Sequence, residues 1–170
     1  MVTIKTRVPG LSEPTLARFV SRAKRAAELR GEVNILVTSD SELRRLNQRF
    51  RGKDKPTDVL SFPAVSFKNN DLAGDIAISA QLASENAKRL GHTVAQEVEI
   101  LALHGILHLA GYDHEKDHGE MAAREARLRG AMALPLGLIE RSSPRSRQSI
   151  ARSERAVDIR KFKNTAKSTR

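Results

Sequence analysis

Val2, Ile4 and Val8 stand among polar residues with the two-residue period of a half-buried strand. From Ser12 the period changes. Leu16, Phe19, Val20, Ala23 and Ala27 fall three or four apart, the stripe of an amphipathic helix that Ser12 can cap and Gly31 can stop. Residues 32–38 (EVNILVT) read as a second strand. Ser39 with Glu42 forms a capping box for a short helix carrying Leu43, Leu46 and Phe50, closed by Gly52. VLSFP reads as a third strand ended by Pro63, the cluster Asn69, Asn70, Asp71 as a turn, and GDIAIS as a fourth strand. Ser79 opens a helix that stops at Gly91. Thr93 with Gln96 is a second capping box, for a helix reaching about Leu109, and a last helix covers about residues 117–132.

The resulting order, β-α-β-α-β-β-α-α-α, predicts an α+β fold: a four-stranded mixed sheet packed with helices. No internal repeat interrupts it. Residues 1–140 form the expected domain, a length that suffices for one hydrophobic core.

Composition changes this picture in two places. The 39% hydrophobic and 29% charged residues are those of an ordinary globular chain. The net charge of +10 is concentrated: residues 141–170 contribute +8 and residues 1–140 only +2. A Ser- and Arg-rich stretch with few large apolar residues buries too little surface to offset its ordering entropy, so residues 141–170 are expected to be a disordered basic tail. Such a tail can tether RNA by counterion release or can simply be a solvated extension. The chain has no cysteine, so a transition metal here must rest on His, Asp or Glu. No uncharged run approaches the roughly 20 residues that span a bilayer. With no secretion signal at the amino terminus, the expectation is a cytoplasmic protein with no membrane partner.

Four of the five histidines lie in HGILHLAGYDHEKDH. His104 and His108 are four apart on a predicted helix, so they share one face at roughly 5–6 Å. Gly111 can take the left-handed conformation that ends the helix and brings His114 back to the same point. Three neutral imidazoles leave a fourth tetrahedral position open, the arrangement of a catalytic zinc, one per chain. His118 lies at a helix start and is read as exposed, His92 as a solvated loop residue, and Asp113 as a turn residue beside His114. In an HExxH metallopeptidase the glutamate after the first histidine is the general base; here that position is Gly105. A second constellation, FRGKDKPTDVLSFP, sets Arg51, Lys53 and Lys55 in one loop, and a guanidinium there suits phosphate oxygens and charge developing on them.

HGILHLAGYDH, FRGKDKPTDVLSFP and GDIAIS, in this order and spacing, closely resemble the signatures of the YbeY endoribonucleases over about residues 30–140. The resemblance implies a single-strand-specific, metal-dependent endoribonuclease acting in maturation of small-subunit ribosomal RNA and in ribosome quality control. It implies His104, His108 and His114 as zinc ligands, Arg51 as the functional arginine, and single-stranded RNA, ribosomal RNA, the small ribosomal subunit and a ribosomal protein as partners. Two alternatives stay open on the residues alone: a zinc metallopeptidase-like hydrolase, and a non-catalytic zinc-containing assembly factor.

Overall fold

The computed structural model describes residues 1–64, 72–114 and 116–135. Its elements are β1 (Val2–Ile4), α1 (Glu13–Ala26), β2 (Glu32–Thr38), α2 (Asp40–Arg51), β3 (Val59–Pro63), β4 (Leu72–Ser79), α3 (Ala80–Leu90), α4 (Val94–Leu109) and α5 (Glu120–Ala131). The expected element order is therefore observed. The strands form one mixed sheet in the order β1-β2-β4-β3, with β1, β2 and β4 parallel and β3 antiparallel to β4. The described residues belong to a single unit, Met1–Leu136. The expected turn at Asn69 to Asp71 and the basic tail lie outside the described residues.

Local chemistry explains most boundaries. The hydroxyls of Ser12, Ser39, Ser79 and Thr93 accept from backbone N–H groups in the first turns of α1 to α4. Only Thr93 and Gln96 complete a reciprocal box. The Glu42 carboxylate accepts instead from Thr38 Oγ1 and Lys5 Nζ, so the expected box at Ser39 is half made. Gly52 and Gly91 close α2 and α3 in the left-handed conformation, as expected. The end of α1 differs. It stops at Ala26, and Glu28 rather than Gly31 takes the first left-handed position, with φ 59°. Glu28 and Leu29 donate back to Arg25 and Lys24 carbonyls, and Arg124 of α5 clamps this turn by donating to Ala26 O at 2.7 Å and Glu28 Oε1 at 3.2 Å. The cause is a tertiary contact that periodicity does not carry. The last helix starts later than expected, at Glu120, behind an Asp117 carboxylate that accepts from the N–H groups of Gly119 and Met121.

His92 also departs from its expected solvated loop. Its side chain is 5% exposed, and Nε2 lies 2.6 Å from Oε2 of the fully buried Glu97. The two flank the Thr93 cap at the positions where an apolar pair usually fastens the chain to the first helical turns. Here a polar pair does so.

Strand alternation puts two sets of side chains on opposite faces of the sheet. On one face Leu60 and Ala77 pack with Leu43, Leu46 and Phe62 beneath α2. On the other, Ile76 and Ser61 meet α4. A Cβ added at Gly105 would lie 2.9 Å from two carbons of Ile76 and 3.0 Å from Ser61 Oγ. Ile76 is 1% exposed and cannot retreat, so α4 approaches the sheet as closely as it does because residue 105 has no side chain. Gly130, in α5, has no such neighbour within 4 Å.

This contrast makes a test. Alanine gains about 0.8–1.0 kcal/mol of helix propensity over glycine, but overpacking a core contact costs about 1–3 kcal/mol. We expect Gly130→Ala to raise the urea midpoint and Gly105→Ala to lower it. Two equally stabilised variants would mean that α4 does not sit this close to the sheet.

Candidate metal centre

The last two turns of α4 and the turn after it bring three imidazoles together. Gly111, at φ 93°, ends the helix while Gly111 N and Tyr112 N donate to the carbonyls of His108 and Leu107. That turn returns His114 to the helix face. One ring nitrogen each from His104, His108 and His114 lie within 4.8 Å of one another, and the ring centroids are 4.7, 5.4 and 5.2 Å apart. The three residues singled out by spacing thus converge. His118 is exposed and outside the cluster, and Asp113 holds the turn through its carbonyl and an ion pair to Lys116.

Hydrogen bonds fix which nitrogens face inward. Tyr112 O can only accept, so His108 Nδ1, 3.0 Å away, carries a proton. His104 Nδ1 likewise faces Glu125 Oε2 at 2.9 Å. In neutral rings both Nε2 atoms are then lone pairs, and they lie 3.1 Å apart. Facing lone pairs repel unless a cation is shared between them. His114 Nδ1 is buried and has no hydrogen-bond partner among the described residues. Burial, with the neighbouring His104 and His114, pushes the His108 pKa down to about 4. At neutral pH it is an uncharged donor. The residues fit a divalent transition metal of the kind that imidazole binds.

Sequence reasoning missed the groups behind His104. Glu125 and Arg129, each 1% exposed, extend the line from His104 Nδ1 through Glu125 to Arg129 Nη1 at 3.1 Å, and Arg129 Nε donates to Pro135 O at 2.6 Å. A carboxylate on the outer nitrogen of a ligating histidine holds its tautomer and raises its basicity. A signal existed: Met121, Glu125, Leu128 and Arg129 share one face of α5, so two charges occupy core positions of the stripe.

Arg51 is the last residue of α2, exposed, and lines a groove of about 780 Å³ with Phe50, Phe62 and Asp75; none of the three histidines lines it. Helices α2 and α4 occupy opposite faces of the sheet. The two constellations nevertheless come to the same end of it. Phe50 packs on Phe62 with ring centroids 5.1 Å apart, while Leu109 of α4 approaches Gly74, which pairs with Pro63.

The family model described as Endoribonuclease YbeY matches residues 4–132. The chain belongs to the YbeY family. It is 52% identical over 155 residues to the Endoribonuclease YbeY of Koribacter versatilis, covering 91% of this chain and all of that protein. To the protein of the same name from Solibacter usitatus it is 46% identical over 140 residues, 82% of this chain and 92% of the relative. The solution structure of TM1509 from Thermotoga maritima superposes with a TM-score of 0.52 at 31% identity, over 78% of this chain and 92% of that one. No described helix is long and apolar enough to cross a membrane. Gly105 also bears on the peptidase alternative, because the packing that excludes a Cβ there excludes the glutamate of an HExxH site.

Two outcomes follow for the metal centre. His108→Ala should remove most of the bound metal, and Glu125→Gln should weaken metal affinity about 10–100-fold, both measured by chelator competition. Unchanged affinity in Glu125→Gln would reduce the carboxylate to a packing role. The second outcome concerns pH. Since the His108 pKa is depressed in the fold, the unfolded chain binds more protons between about pH 4 and 6.5. The contribution of neutral His108 is complete above pH 6.5 and is lost as pH falls toward 4. Metal-free protein should therefore melt lower across that window, and His108→Gln should flatten the fall; an equal pH dependence in both would contradict it.

Proposed function

We propose that this protein is a zinc-dependent endoribonuclease that cuts single-stranded RNA in the maturation of small-subunit ribosomal RNA and in ribosome quality control. The observation that carries the reading is the convergence of His104, His108 and His114 at the end of the sheet where the cationic end of α2 also lies. Membership of a family whose members bear the name endoribonuclease supports the substrate class.

His104, His108 and His114 would hold one zinc ion per chain, oriented by Glu125 and the Tyr112 carbonyl. When bound, the ion supplies Lewis-acid stabilisation of charge developing on the phosphate oxygens. Arg51, exposed at the end of α2, holds the phosphate of the strand being cut. Its planar fork meets two oxygens and stabilises the charge that grows on them. The polar partners are ribosomal RNA, the small ribosomal subunit and a ribosomal protein, in the cytoplasm. Residues 1–140 are the catalytic domain, and the basic tail, 141–170, adds salt-sensitive attraction to RNA.

Arg51→Ala should keep fold and metal yet lose about a hundred- to thousandfold in cleavage rate, the usual effect of removing a charge-stabilising donor. Arg51→Lys should recover only part, since an ammonium restores charge without the fork. Single-turnover cleavage of an unstructured RNA at saturating enzyme measures both, with metal content and circular dichroism as controls. Near-wild-type cleavage by Arg51→Ala would take this arginine out of the chemistry.

A further inference from the structure

The sheet face beside α2 carries a feature that the metal centre does not use. Phe50, in the last turn of α2, is 58% exposed, an unusual position for a phenylalanine in a folded core's neighbourhood. Its ring is fixed from behind by Phe62, and the Arg49 guanidinium lies 5.4 Å from its centroid. It opens onto the groove of about 780 Å³ shared with Arg51, within the range of about 300–1,000 Å³ typical of small-ligand sites. The groove's polar floor is preset: Asn34 Nδ2 donates to Asp75 Oδ1 at 2.8 Å, and Asn34 Oδ1 accepts from the amino-terminal ammonium. Asp75 brings a carboxylate to the floor, and the surplus charge at the α2 end of the groove is positive. Arg44 is taken up by a two-pronged pair with Asp54, whereas Arg49, Arg51, Lys53 and Lys55 have no ion-pair partner among the described residues.

An exposed ring with a guanidinium over it and surplus cations together match one occupant, a nucleotide with an unpaired base. Unstacked bases lie on aromatic rings and on arginine planes, while phosphates are met by the cations around them. We propose that Phe50 and Arg49 form a base-stacking platform that holds one nucleotide of single-stranded RNA, on the face of the sheet opposite the three histidines. The inference rests on the endoribonuclease reading and adds a second point of contact to it. A strand stacked on Phe50 passes Arg51 and rounds the Pro63 end of β3 toward the α4 face. A base-paired strand cannot offer its base to the ring, so the platform also gives a physical reason for single-strand preference.

The test uses the full chain with its metal and two short unstructured RNAs, one intact and one containing a single abasic nucleotide placed in turn along the strand. Removing one base–aromatic stack should raise Kd about five- to 150-fold. We expect Phe50→Ala to show that loss for intact RNA, Phe50→Trp to restore affinity, and Phe50→Leu not to. One abasic position should weaken the wild type and leave Phe50→Ala unaffected, since both changes delete the same contact. The slope of log Kd against log salt should be the same in Phe50→Ala as in wild type, because no phosphate contact is lost. If wild type binds and cuts RNA and Phe50→Ala binds as tightly, the platform is overturned, the nuclease reading stands, and the face is left to a protein partner. If wild type neither binds nor cuts single-stranded RNA, both readings fall together.

Discussion

The contact between Gly105 and the sheet sets the position of everything the site uses. Because residue 105 has no side chain, α4 rests directly on Ile76 and Ser61, and the histidines on either side of it in sequence acquire fixed places. Further along, Leu109 Cδ2 comes within 2.7 Å of where a Cβ of Gly74 would be, so the helix end packs on the strand as well. A helix held at two points has little freedom to slide, which is what three ligands on α4 and its following turn require if they are to share one ion. The same contact excludes a glutamate after His104. Packing and chemistry are decided there by one hydrogen atom.

The buried charges behind His104 follow from that placement. Arg129 and Glu125 sit in a core where an uncompensated charge would be strongly destabilising. They persist because each meets the other, and because the outer nitrogen of His104 and the carbonyl of Pro135 take up further hydrogen bonds. The site is thereby connected to the far end of α5. A ligand shell built this way resists rotation of the imidazole more than a solvent-facing histidine could, since every partner in the chain is itself fixed by packing.

Much of the architecture was legible in local sequence because local chemistry decides it. Ser12, Ser39, Ser79 and Thr93 satisfy helix N-termini, Gly52, Gly91 and Gly111 end helices, and His104, His108 and His114 meet because a four-residue step and a glycine turn leave them little choice. The misses share a different cause. Helix α1 ends at Ala26 because Arg124, about a hundred residues away in the chain, holds the turn. His92 is buried because Glu97 is. Strand order, with β3 on the outer edge beside β4, leaves no trace in periodicity either.

The separation of the two constellations has an electrostatic consequence on the proposed reading. A divalent ion and a group of arginines and lysines both attract RNA, but they also repel each other. Were Arg51 and its neighbours crowded against the histidines, they would weaken metal binding, and they would do so most in the dry interior where charges are least screened. On the opposite face and in solvent, the same cations disturb the ion little while the groove is empty. A polyanion reaching around the Pro63 end would join the two, each of its phosphates neutralising charge that the protein alone must keep apart. The sheet edge then serves as a spacer that holds the cationic groove and the metal ligands apart until a strand joins them.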